Sequence, residues 1–270
     1  NKKMINKIHK LIMSAIILIL VLLLSGCSEN KKPDFGDLRR RLETLKKRNP
    51  PNGDIETLKN SVSEYEEILN ICLAAFENQY SALRYLGVQC LQREMYDLAI
   101  QYLTKALAIK SEDPDLHYYL GIAYAYKGKR DSIFNSKAEF EYKTALTLQP
   151  NNSLILYSLA MLYYYNFDLK KEALDIMQKS LEFSAKTEYK PAAMLARFQL
   201  DQGDNAEAVR YYKEAADRAT QPNIKAKFYL NAGLIYQKMN DMANAVKYFQ
   251  AVLKTDKNLT EAKNLLSGTK

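Results

Sequence analysis

From residue 80 onward the chain repeats one pattern five times, and that periodicity limits its fold more than any other property. A small residue recurs at Gly87, Gly121, Ala160, Ala196 and Gly233, and a second at Ala99, Ala138, Ala173, Ala208 and Ala245. Successive marks are 34 to 39 residues apart. Four residues after each second mark stands Leu103, Tyr142, Met177, Tyr212 or Phe249, and three further on Ala106, Ala145, Ser180, Ala215 or Val252. Steps of four and three keep side chains on one helix face. Each unit therefore reads as two antiparallel helices: the small residues let them approach, and the large ones fill the space alongside. A lone hairpin leaves an apolar face uncovered, so the units must stack. Nine Gly and seven Pro are too few for the tight turns of a sandwich or barrel. The predicted fold class is all-α, a helical-hairpin solenoid of about five repeats (80–113, 114–152, 153–188, 189–225, 226–259) with capping helices at 54–79 and 260–270.

The pattern resembles the tetratricopeptide repeat (TPR). Leu86-Gly87, Leu120-Gly121, Leu159-Ala160, Leu195-Ala196 and Ala232-Gly233 match that family's Leu-Gly pair. Tyr124, Tyr163 and Tyr236 match its first-helix tyrosine, from which Cys90 and Gln199 depart, and Pro150 matches its closing proline. Leu83, His117, Leu156, Ala192 and Tyr229 stand where the family has tryptophan, a residue this chain lacks. The second unit carries about five extra residues around Gly128-Lys129-Arg130-Asp131, read as a longer hairpin loop or, alternatively, a protrusion for a partner.

The resemblance implies that first helices line a binding groove. Its positions fall on Tyr118, Ile122 and Tyr126, on Tyr157, Met161, Tyr164 and Tyr165, and on Arg197. The family's carboxylate clamp of Lys and Asn is missing there, so a chaperone C-terminal tail is not the expected ligand. Tyrosine combines apolar area with a hydroxyl and concentrates in interfaces. The implied function is protein binding, with a helix or extended apolar segment of a partner in the groove. The opposing reading is that neighbouring first helices bury these rings against each other.

The N-terminus has the form of an address. Lys2, Lys3, Lys7 and Lys10 precede an apolar run over 11–24, shorter than the ~20 residues a membrane span needs. The run ends in Leu24-Ser25-Gly26-Cys27, which resembles the bacterial lipobox. That resemblance implies a signal peptide over 1–26, lipid attachment at Cys27, a tether over 27–53 and a place in the cell envelope, facing periplasm or exterior. Residues 1–53 hold 12 basic and four acidic side chains, and the rest of the chain holds 27 of each sign. The net charge of +8 thus describes the anchor segment and gives no support to nucleic-acid binding.

Between tether and repeats, Ile55, Leu58, Val62, Tyr65, Leu69, Cys72 and Phe76 form a seam with steps of three and four on a helix from about Asp54 to Asn78. It reads as a cap over the first repeat, or as a contact between two copies of the chain. Residues 54–78 hold six acids and one base, so the basic segment with Arg39-Arg40-Arg41 and Lys46-Lys47-Arg48 can fold back on them; anionic lipid headgroups are its other candidate partner.

The sequence carries no metal-ligand spacing, phosphate loop or nucleophile elbow. His117 reads as a packed histidine, and no enzyme activity, metal or cofactor is expected. Two alternatives to a protein-binding scaffold remain at this level: a self-associating structural lipoprotein, and an accessory protein for a small molecule or solute transport.

Overall fold

The computed structural model describes Arg40, Arg41, Thr44 and residues 55–129, 131–255 and 260–267, with backbone alone at 55–62, 64–66, 72, 260–262 and 267. Among these, every regular element is a helix, and the fold is an all-α helical solenoid. Contacts divide the chain into two units, 1–111 and 112–270. The signal-like segment, Cys27 and nearly all of the tether lie outside the described residues. No helix among the described residues is long and apolar enough to cross a membrane.

In the first unit, α1 (Ile55–Gln92) packs on α2 (Tyr96–Leu107). The seam predicts a helix ending near Asn78; instead α1 runs unbroken through the boundary at 79–80 for 38 residues. No Gly or Pro stands between Asp54 and Leu86 to stop it. Of the expected seam, Leu69 and Phe76 are half-buried, while Ile68, one residue off it, is fully buried. The side chains of Ile55, Leu58, Val62, Tyr65 and Cys72 lie outside the description. Arg41 donates to Glu67 at 3.0 Å, so one basic residue does reach the acidic helix.

In the second unit the helices are α3 (Pro114–Gly128), α4 (Ile133–Leu148), α5 (Ser153–Asn166), α6 (Lys170–Phe183), α7 (Lys190–Asp201), α8 (Asn205–Arg218), α9 (Pro222–Lys238), α10 (Met242–Thr255) and α11 (Thr260–Ser267). Each packs on the next, and α3 also touches α5, so first helices adjoin. All five second-mark alanines are fully buried, and so are Leu103, Met177 and Phe249, with Tyr142 and Tyr212 nearly so. Where the first mark is glycine, its role is steric. A Cβ at Gly87, Gly121 or Gly233 would fall 2.6, 2.5 or 2.6 Å from Leu103, Tyr142 or Phe249.

The helices stop by one recurring device. Glu94, Gly203 and Asn240 have positive φ, and each stands five residues before its alanine mark. The following amides, of Met95, Asp204 and Asp241, donate to the carbonyls of Cys90, Gln199 and Tyr236 at 2.8–2.9 Å. Glu94, Gly203 and Asn240 themselves donate three residues back, at 3.0 Å. This is the Schellman pattern, which satisfies the last carbonyls of a helix. Asp204 and Asp241 then cap the next helix by accepting from Glu207 and Asn244 at 3.1 Å. The Asn244 side chain and backbone both bond to Asp241 and hold its carboxyl below the usual range.

The second repeat departs from this device, and its extra residues correct an expectation. The spacing predicts a longer loop. Instead α3 continues seven residues past Gly121, where α1, α7 and α9 continue five past their marks. Helix α4 starts five residues before Ala138, where the other second helices start three before their alanines. The connection, 129–132, is one residue longer than the others. Most of the insertion is therefore helix, and it places Gly128 against Asn135, whose Oδ1 leaves no room for an added Cβ.

Candidate groove on the first helices

The groove lies wholly in the second unit and has a volume of about 860 Å³. First helices α3, α5 and α7 form its walls, and the N-terminal end of α4 contributes Asn135. That volume lies in the range of ligand sites. Seven expected groove residues line it: Tyr118, Ile122 and Tyr126 from α3, Tyr157, Met161 and Tyr165 from α5, and Arg197 from α7. Along α5 the groove stripe is 157, 161 and 165, a step of four each time.

Tyr164 is the exception. Rotated one residue off that stripe, it points to the next hairpin and is 6% exposed. Its ring lies parallel to Phe198 at 3.7 Å, and its hydroxyl donates to Asp201 at 3.1 Å. Burial, and then the Asp201 bond, push its hydroxyl up to about 12. Tyr164 is a packing residue and not part of the groove. The expectation that first helices bury their rings against each other thus holds for this tyrosine. It does not hold for Tyr126 and Tyr165, which are 47% and 49% exposed.

Several lining residues carried no signal in the sequence reading. Met194 stands beside Tyr165, whose hydroxyl approaches its sulfur at 3.9 Å. Ser158 and the Tyr142 ring form part of the lining. Burial raises the hydroxyls of Tyr118 and Tyr142, with Ser158 beside them offsetting only part of the effect. Burial also raises Tyr157, assisted by Tyr165 and Glu188. These phenols therefore stay protonated at neutral pH and can act as hydrogen-bond donors. At the inserted end, the Lys129 ammonium sits 4.6 Å from the centre of the Tyr126 ring, a cation–π distance.

His117 lies outside the groove. Its Nδ1 is 2.7 Å from Glu141 Oε2, with both side chains largely buried, so it ties α3 to α4. Among the described residues no three His, Cys, Asp or Glu side chains cluster as a metal site. The groove offers aromatic and thioether surface, hydroxyl and amide donors, and two cations.

Comparison with known proteins agrees with this architecture. The tetratricopeptide repeat family model matches residues 192–226 and 226–259. Tetratricopeptide repeat protein 37 of Xenopus laevis is 25% identical over 59% of the chain, and anaphase-promoting complex subunit 3 of Schizosaccharomyces pombe is 25% identical over 62%. The chain spans only 10% and 24% of those two relatives. Among solved structures, MamA from Desulfovibrio magneticus RS-1 superposes with a TM-score of 0.54 at 19% identity, covering 67% of this chain and 97% of that one. YrrB, described as a TPR protein with an unusual peptide-binding site, gives 0.50 at 16% identity, covering 68% and 89%. At these identities the likeness concerns the fold.

Proposed function

We propose that the chain is a membrane-tethered protein-interaction scaffold that receives a segment of a partner protein in the α3–α5–α7 groove, within an envelope assembly or transport complex. One observation carries the binding half. A cleft large enough for several side chains is lined by Tyr126 and Tyr165, about half exposed, with Met161 and Met194. Exposed, clustered aromatic and methionine surface is characteristic of interaction sites. YrrB, a TPR protein of similar fold described as having an unusual peptide-binding site, supports this reading. Tyr157→Ala with Tyr165→Ala should reduce recovery of cross-linked partner from an envelope extract several-fold and leave the helical circular dichroism unchanged. Full recovery with the double variant would refute the groove.

The tethering half rests on the basic start, the apolar run 11–24 and Cys27. One acyl chain holds a membrane only marginally and two hold it firmly, so a diacylated Cys27 would suffice as an anchor. Cys27→Ser is expected to move the protein from the membrane pellet to the soluble fraction. Continued sedimentation with membranes would mean that something other than Cys27 holds it there.

A further inference from the structure

The groove's charge and one buried amide restrict what can occupy it, granted that it binds a partner segment at all. Among the described residues its lining contains Lys129 and Arg197 and no carboxylate. Lys129 directly follows α3 and Arg197 sits on α7, with α5 between them in the stack, so the two cations come from different walls. Arg197 is exposed and makes no ion pair among the described residues. Lys129 rests on the Tyr126 ring at a cation–π distance. The charges on the lining itself are therefore both positive and set among aromatic rings, although Glu188, outside the lining, acts on Tyr157.

Asn135 adds a second, independent constraint. It is 4% exposed and faces the groove. Its Oδ1 accepts from Asn166 Nδ2 at 3.0 Å, but its own side-chain NH₂ finds no acceptor among the described residues. Buried donors are seldom left unpaired in folded proteins. A carbonyl supplied by an occupant would satisfy this one, and a chain in extended conformation has outward-facing carbonyls to offer, whereas those of a helix interior are already bonded.

We infer that the occupant is an extended, acidic-apolar peptide segment: a carboxylate pairs with Arg197 or Lys129, large apolar side chains lie on Tyr157, Tyr165 and Met161, and a main-chain carbonyl accepts from Asn135. A basic segment is disfavoured by like charge, and electrostatic complementarity of this kind mainly sets specificity.

The test selects a phage-displayed library of random linear peptides on the full chain in mild detergent, then measures synthetic copies of the winners. The expected winners carry Asp or Glu beside aromatic or aliphatic residues. They should bind Lys129→Glu with Arg197→Glu at least about fivefold more weakly, and exchange of their acids for lysine should restore binding to that variant. Both cations are exposed, and an unchanged thermal melt confirms that the variant folds. Winners poor in acid, or bound equally well by the charge-reversed variant, overturn this inference, provided that Tyr157→Ala with Tyr165→Ala abolishes their binding; the groove itself then stands. Winners indifferent to the tyrosine variant, or no enrichment at all, overturn the groove reading and this inference with it.

Discussion

Gly121→Ala is expected to destabilise the second unit by about 2 kcal/mol, although an alanine in a helix interior is normally worth up to ~1 kcal/mol over glycine. The sign follows from what the new methyl meets. An added Cβ would lie 2.5 Å from Cδ1 and Cε1 of Tyr142. That ring is 2% exposed and packs beside Tyr118, 6.1 Å between centroids, so moving it disturbs both the hairpin and the groove lining. Either the ring leaves its rotamer or α3 and α4 separate, and overpacking of this kind costs 1–3 kcal/mol. The chain itself supplies the control. In the third repeat the equivalent positions are Ala160 and Met177, a larger first residue facing a flexible, unbranched one. Adding Tyr142→Met to Gly121→Ala should therefore recover part of the loss, visible as a coupling term in a double-mutant cycle of denaturant melts. A stabilising Gly121→Ala, or strict additivity, would show that the close approach is not what glycine serves here.

The register of the hairpins was legible because it obeys a strict steric rule. Each mark is a place where two backbones nearly touch, and such a place tolerates few residue types, so it shows through in one sequence. Features that depend on direction around a helix were harder to read. Tyr164 and Tyr165 are neighbours in sequence, yet about 100° of rotation makes one a core ring and the other a groove ring. The inserted residues in the second repeat looked like loop because they include Gly128 and charged side chains. Their helical continuation depends on Asn135 filling the space that Gly128 leaves, a tertiary contact with no local signature. Helix stops were hidden for another reason. Glu94, Gly203 and Asn240 do the same job with three unrelated side chains, because the constraint lies on backbone φ and only Gly203 advertises it. The groove was found from first-helix positions, while its charge character and its amide floor required knowing which walls face each other.

Phe198→Ala should cost the most, about 4 kcal/mol, as expected for truncating a fully buried aromatic ring. Phe198 has no exposed surface, stacks parallel to Tyr164 at 3.7 Å and meets the Tyr165 ring edge-on at 6.2 Å. It is therefore the joint between α5 and α7, the two walls that present Met161, Tyr165, Met194 and Arg197 to the groove. Removing it opens a cavity behind Tyr164 and also leaves Tyr165 free to turn into that space, away from Met194. Phe198→Leu, which keeps much of the volume, separates the two effects. Its stability loss should be well under half that of the alanine variant, yet partner affinity should still fall, because a leucine cannot hold two tyrosine rings by their faces and edges. Tyr164→Phe keeps the stack and deletes only the hydroxyl bond to Asp201, at a cost of about 1 kcal/mol, and should leave binding unchanged. Thermal melts paired with affinity for a selected peptide distinguish these variants. If Phe198→Leu binds as tightly as wild type, ring packing behind the groove contributes to stability alone, and the groove's shape is set by its exposed residues.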